Sequence, residues 1–277
     1  MKVLVCIPAR YGSTRFAGKV LAKDTGKFLI QHVYEQACLA KLPDKVIIAA
    51  DDERIAAAAK SFGAECIMTS PDHKSGTDRI AEAVKNIDAE IIVNLQADEP
   101  EIDPSNIDYV AQLLIETKSS QLKTKNYCMA TLAAPFQRQD QITDPNIVKV
   151  IVTRDERRGT RDEGRETSNE ICRAIYFSRA VIPYDREKGG VGDVKQYLRH
   201  VGIYAYRRDF LLKITKLPQT PLEKIEKLEQ LRAIEYGFDI LVGKVEHTCD
   251  GIDTPEQYAD FVKRYKNSKK GKSYVKG

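Results

Sequence analysis

The chain has 277 residues, of which 42% are hydrophobic and 30% charged, and its 44 Lys and Arg against 40 Asp and Glu leave a net charge of +4 at pH 7. That composition supports a sizeable core and excludes a disordered chain, while the small net charge offers no global field for nucleic acid. No run reaches the roughly 18 to 20 apolar residues that a bilayer span requires, so no membrane span is expected.

The start enters a strand at once, with an apolar run at 3–7, and further β-branched runs follow at 46–50, 66–68 and 91–95. Helix-like segments at 30–39, 55–61 and 80–86 alternate with them. This βαβ rhythm predicts an α/β fold with a mostly parallel central sheet and flanking helices. In such sheets ligands sit beyond the carboxyl ends of the strands, so the polar turns at 8–19, 51–52, 69–79 and 96–100 are the places to look.

Beyond a helix expected to about residue 116 come a polar connector at 118–126 and strands at 127–133 and 148–153. Residues 154–166 carry five Arg, five acids and two glycines, the composition of an exposed loop or hairpin. Strands follow at 174–177 and, with alternating character, at 201–206; then a helix at 221–234, a strand at 240–245, and a terminal helix starting at Thr254-Pro255. The last residues, 263–277, hold seven Lys or Arg and no acid, which predicts a solvated, frayed tail. Six cysteines without a C-x-x-C pair read as buried thiols, and with no secretory leader at the start they point to a reducing cytoplasm.

The first turn, Pro8-Ala9-Arg10-Tyr11-Gly12-Ser13-Thr14-Arg15-Phe16-Ala17-Gly18-Lys19, reads as a phosphate-binding loop. Its glycines permit sharp turns, its N–H and hydroxyl groups suit phosphate oxygens, and its cations offset a polyanion. The spacing is neither a Walker A loop nor G-x-G-x-x-G. Asp98, at the tip of the 91–95 strand, and Asp253, ahead of the last helix, are candidate Mg2+ ligands; equally, Asp98 suits a turn before Pro100 and Asp253 complements a helix N-terminus. Ser75-Gly76-Thr77-Asp78-Arg79 could hold a base or ribose, or Ser75 or Thr77 could cap the helix that follows. No Ser-His-Asp or Cys-His order for nucleophilic catalysis is evident.

Taken with Ser70-Pro71-Asp72-His73, Val93-Asn94-Leu95-Gln96-Ala97-Asp98-Glu99-Pro100, Tyr176-Phe177-Ser178-Arg179, Arg199-His200-Val201-Gly202-Ile203-Tyr204-Ala205-Tyr206, Leu228-Glu229-Gln230-Leu231-Arg232 and Asp253-Thr254-Pro255, these motifs resemble the 3-deoxy-manno-octulosonate cytidylyltransferases, or CMP-Kdo synthetases. The matches run in order over roughly residues 3 to 260, which is far more specific than one short motif. The resemblance implies a nucleotide-diphosphosugar-transferase-like fold, one domain over 1–266 with about 130–220 forming a smaller sugar-binding and dimerisation subregion, and a basic tail at 267–277. It also implies a homodimer that uses CTP and Mg2+ to activate the acidic sugar Kdo for lipopolysaccharide synthesis.

By the same resemblance, Arg10, Lys19, Asp98 and Asp253 are the catalytic set, with Mg2+ on the two acids. Pro8, Ala9, Arg10, Gly12, Ser13, Lys19, Ser75, Gly76, Thr77 and Arg79 bind the nucleotide. Gln96, Arg179, His200, Tyr204, Glu229 and Gln230 line the sugar side. Ala17 replaces a usual Pro and Ala97 a usual Gly, and the charged segment 154–166 is longer than the usual connector. Alternatives are a cytidylyltransferase for 8-amino-Kdo or another acidic sugar, a transferase consuming a nucleotide sugar, and a nucleotide-binding regulator.

Overall fold

The structure, a computed structural model, describes residues 1–13, 15–119, 127–154, 171–246 and 248–273. Strands β1 (Val3–Ala9), β2 (Lys45–Ala50), β3 (Glu65–Met68) and β4 (Ile91–Asn94) alternate with α1 (Leu29–Leu39), α2 (Glu53–Ser61) and α3 (Gly76–Ala83), which is the rhythm read from the apolar runs. The chain continues through α4 (Pro104–Ser119), β5 (Met129–Pro135), α5 (Gln139–Thr143), β6 (Lys149–Arg154), β7 (Cys172–Ser178), β8 (Leu198–Arg207) and α6 (Arg208–Ile214). It ends with α7 (Pro221–Glu226), α8 (Gln230–Glu235), β9 (Ile240–Lys244) and α9 (Pro255–Ser273).

Among the described residues the strands form one sheet in the order β3-β2-β1-β4-β8-β5-β9-β7-β6. Every residue of β1 is buried, with Val3, Val5 and Ile7 in the core on one face and Leu4 and Cys6 in the core on the other. A continuous apolar run is what a strand covered on both faces requires.

The sheet is mixed, which corrects the expectation of a mostly parallel one. Pairs β1–β2, β1–β4, β2–β3 and β5–β9 are parallel, whereas β8 runs antiparallel to both β4 and β5, and β7 antiparallel to β6 and β9. The alternation at 201–206 carried that signal: Val201, Ile203 and Ala205 are buried while Gly202 and Tyr204 are half-buried, as on an antiparallel strand whose two faces differ.

The helix expected at 221–234 is two helices, because Lys227 takes a left-handed conformation at φ 53°. There the Arg179 Nε donates to the Glu226 carbonyl at 2.7 Å, satisfying an acceptor that the helix end leaves open. The corner places Glu229 and Gln230 at the start of α8. Three other expectations shift. Helix α3 begins at Gly76, with Ser75 as its cap; α9 stays helical to Ser273, inside the stretch read as a frayed tail; and of the six thiols only Cys6 and Cys172 are buried, Cys38 being exposed. The connector at 120–126 and the charged segment beyond Arg154 lie outside the described residues.

Candidate functional site

The strand tips of the parallel half meet the loop before α9. Lys19 lies in a short 3-10 turn and is only 12% exposed, and its Nζ donates to Asp98 Oδ2 at 2.6 Å, to Asp253 Oδ1 at 3.0 Å and to the Ile252 carbonyl at 2.9 Å. The Ile252 N–H donates to the Asp98 carbonyl at 2.8 Å, so backbone as well as charge ties the two segments. Arg15 reaches the other oxygen of Asp253 at 2.9 Å. Two acids far apart in the chain thus converge on one ammonium, which the sequence alone did not establish.

This donor set fits Mg2+. Mg2+ takes oxygen ligands, retains several waters, and is commonly held by one or two carboxylates together with substrate phosphates. Asp98 and Asp253 supply two carboxylates, and no cluster of three or more His, Cys, Asp or Glu is present among the described residues to make an all-protein cage.

Of the other loop residues, Pro8 and Ala9 belong to β1 and pair with Ala49 and Ala50 of β2. Arg10 and Gly12 are exposed, and Arg10 has no ion-pair partner among the described residues. Half-buried Ser13 donates its N–H to the Tyr11 carbonyl at 3.0 Å, and Gly18 donates to the same carbonyl at 3.1 Å. The loop therefore closes with Ala17 in place of proline, and Ala17 itself is exposed. Ala97 is 7% exposed and has no positive φ, so this backbone needs no glycine beside Asp98.

The second segment packs against the first. A Cβ on Gly76 would stand 3.2 Å from the Pro8 ring, so a glycine there lets α3 approach the loop closely. Ser75 caps α3 through the Asp78 N–H at 3.1 Å. Arg79 is 3% exposed and directs its guanidinium to protein groups: Thr69 Oγ1 at 2.7 Å and Asp51 Oδ2 at 3.0 Å. The other oxygen of Asp51 accepts the Tyr11 N–H at 3.0 Å. Asp51 thus joins the two segments expected on the nucleotide side, a role that its place after β2 hinted at without identifying.

On the expected sugar side, burial raises the pKa of the Glu229 carboxyl, against the lowering influence of the Thr77 hydroxyl and Arg232. Gln230 is 6% exposed and its Nε2 has no hydrogen-bond partner among the described residues. Gln96 donates to Asn94 at 2.9 Å. Arg179 gives its donors to the carbonyls of Glu226 and Pro145, at 2.7 and 2.9 Å. The Tyr204 ring lies 5.3 Å from that of His200, tilted by 44°, and burial raises its pKa. Glu99, which no motif assigned a role, has a buried Oε2 without a partner and is pushed up to about 8 by burial and then by Asp98.

His200 sits at a register shift where β5 and β8 slip between Thr131 and Leu132. The Thr131 hydroxyl donates to the Ile203 carbonyl at 2.7 Å and stands 2.9 Å from His200 Nε2, so the ring presents Nε2–H to that oxygen and keeps Nδ1 as an acceptor. Burial, followed by the charge of Arg199, pushes its pKa from 6.5 down to about 3. The folded protein should therefore hold His200 neutral from pH 8 to pH 5, with no imidazole titration visible by NMR. The unfolded chain takes up this proton near 6.5 and the folded chain only near 3, so His200 erodes stability as pH falls below 6.5. A midpoint above 6 in the folded state would refute this placement.

Residues 4–240 match the family model described as cytidylyltransferase. The chain is 45% identical over 267 residues to the 3-deoxy-manno-octulosonate cytidylyltransferase of Solibacter usitatus, covering 96% of each chain. It is 44% identical over 261 residues to that of Syntrophotalea carbinolica, covering 92% of this chain and 95% of the relative. A solved CMP:2-keto-3-deoxy-manno-octonic acid synthetase complexed with CTP matches with a TM-score of 0.81 at 38% identity, over 97% of this chain and 100% of that one. A cytidylyltransferase from Leptospira borgpetersenii, 19% identical over 93% of this chain and 84% of its own, shares the fold with a TM-score of 0.55.

Proposed function

The chain belongs to the 3-deoxy-manno-octulosonate cytidylyltransferase family, and from that premise we infer that it transfers CMP from CTP to 3-deoxy-D-manno-octulosonate, releasing pyrophosphate and supplying CMP-Kdo for lipopolysaccharide synthesis. The observation that carries the reading is the meeting of Lys19, Asp98 and Asp253 at the mouth of the parallel strands.

In the reaction the anomeric hydroxyl of the sugar attacks the α-phosphorus of CTP. One P–O bond forms to the sugar and the bond to pyrophosphate breaks, without a covalent enzyme intermediate. Arg10 and Lys19 offset phosphate charge, the exposed Arg10 being free to meet the nucleotide. Asp98 and Asp253 would hold Mg2+, which supplies charge neutralisation and lowers the pKa of a bound hydroxyl. Ser75, Gly76 and Thr77 border the nucleoside, and Arg79 acts through Asp51 to hold their segment.

The unpartnered Gln230 amide, the Glu229 carboxyl and the neutral His200 offer a donor and acceptors for a polyhydroxylated sugar. They orient the attacking oxygen, which is the main demand of an in-line displacement. For Arg179 to receive the sugar carboxylate it would exchange its carbonyl partners for that charge. The reading extends to a homodimer in the cytoplasm, where a reducing medium suits six unpaired thiols.

Pyrophosphate release should be measured with CTP, UTP, ATP and GTP, each against Kdo, 8-amino-Kdo and sialic acid, with Mg2+ present. CTP with Kdo should give the highest kcat/KM. A preference for 8-amino-Kdo would move the sugar assignment, and folded protein with no turnover for any pair would sink the enzymatic reading.

A further inference from the structure

Arg54 lies at the start of α2, on the solvent side of the molecule, and no ligand role has been assigned to it. Its side chain is 59% exposed, yet it is fixed in place: Nε and one terminal nitrogen donate to the two oxygens of Asp52 at 2.8 and 2.7 Å. Held in this fork, the guanidinium lies over the Tyr11 ring, 3.4 Å from its centroid. A freely solvated Arg would sample many rotamers, so the bidentate pair converts it into a rigid cationic plate.

Tyr11 is the residue on which the phosphate loop hangs. Its N–H is held by Asp51 at 3.0 Å, and its carbonyl takes the N–H groups of Ser13 and Gly18 at 3.0 and 3.1 Å. Its ring lies against Gly18, which has φ 66°; a Cβ there would meet the ring at 3.2 Å and would be strained in any case. The next residue is Lys19, whose ammonium bridges Asp98 and Asp253. A continuous set of contacts therefore runs from Arg54 through Tyr11 and Gly18 to the cation of the site.

We propose that Arg54 is a positioning residue for CTP: clamped by Asp52 and stacked on Tyr11, it holds Tyr11, Gly18 and Lys19 in their triphosphate-binding arrangement before the nucleotide arrives. The proposal rests on the CTP-dependent reading above. The side-chain contacts of Arg54 are to Asp52 and Tyr11, not to Asp98 or Asp253. Its contribution is pre-organisation, which lowers the ordering cost of binding and so acts on affinity.

The test compares wild type, Arg54→Gln, Arg54→Lys and Asp52→Asn by CTP titration calorimetry, steady-state kinetics and thermal melting. A cation–π contact on a partly exposed ring predicts that Arg54→Gln weakens CTP affinity by roughly 3- to 10-fold. The KM for CTP should rise by the same factor, while kcat at saturating CTP falls less than twofold and the sugar KM is unchanged, the pattern of lost uniform binding. Arg54→Lys should recover part of the affinity, since it keeps the charge, and Asp52→Asn should lose part, since it frees the clamp. Melting temperatures should agree, because Arg54 is exposed.

Wild-type CTP affinity in Arg54→Gln would overturn the proposal, as would an equal loss in CTP and sugar terms accompanied by a lowered melting temperature. If wild-type protein itself binds no CTP, the nucleotide reading fails, which is a distinct result. Asp51 is the poorer probe, because its removal would leave the buried Arg79 charge unpaired and endanger the fold.

Discussion

Asp98→Asn should lower turnover on the order of 10²- to 10³-fold, the loss typical when one preorganised charge or donor is removed from a transition-state site. The substitution preserves the shape of the side chain and abolishes its charge. Asp98 stands 2.6 Å from Lys19 Nζ and Asp253 stands 3.0 Å from it, so each acid helps hold the same ammonium, and on the proposed reading both would hold the Mg2+ that accompanies the nucleotide. Asp253→Asn should therefore cost a similar factor. The double variant should be little worse than either single one, since groups that act as a unit are strongly non-additive.

Pyrophosphate release under saturating CTP and sugar measures the effect, and melting curves check the fold. Both acids are partly exposed, 26% and 39%, so their pairing with Lys19 contributes little to stability and the melting temperature should hardly move. Turnover within tenfold of wild type in Asp98→Asn, with the fold intact, would remove Asp98 from the catalytic set. Losses that multiplied in the double variant would mean that the two acids serve separate steps.

Glu223→Ala should destabilise the protein by about 3 to 5 kcal/mol, because it strands a buried guanidinium. Arg232 and Glu223 are 6% and 5% exposed and joined twice, through Nε to Oε2 at 2.8 Å and through the second terminal nitrogen to Oε1 at 2.5 Å. A third donor of Arg232 reaches the Ile214 carbonyl at 3.2 Å. The pair binds α7 to α8 across the turn that carries Glu229 and Gln230. Calorimetry should find the melting temperature lower on the order of 10 °C, and the sugar KM should rise more than the CTP KM.

Replacing both partners by apolar residues, Glu223→Leu with Arg232→Met, should recover most of the stability, since no buried charge is then left alone. The pH dependence has a definite sign. Burial pushes the Glu223 carboxyl up, but the hydrogen bonds and charge of Arg232 outweigh it and hold its pKa below the ordinary 4.5. The contribution is thus present above that value and lost as pH falls through the lowered folded pKa, so wild type and variant should converge in strong acid. A constant gap between them down to the acid transition would argue that Glu223 acts by packing instead.

Much of this molecule was legible from local pattern. The run at 3–7 gave β1, Thr254-Pro255 gave the start of α9, and the acids at 98 and 253 stood out at turns. Such features depend on residues within one or two turns of each other, where apolar periodicity and capping chemistry operate. Strand direction is different. An apolar strand buried on both faces looks alike whichever way its neighbours run, and this is why β9 pairing parallel to β5, and β7 antiparallel to β9, could not be read off.

The helix break at Lys227 was hidden for a related reason. Periodicity across 221–234 is continuous, while the donor that meets the open Glu226 carbonyl at the break is Arg179, just past β7 and far away in the chain. The sequence by itself therefore determined the βαβ half, the position of its polar turns and the family. Only the tertiary structure decided that Asp98 and Asp253 share Lys19, that Asp51 joins the turn after β1 to α3, and that Arg79 faces inward. Those contacts link positions far apart in the chain, and they arise only when the folded sheet brings its strand tips to one edge, a convergence that no local spacing records.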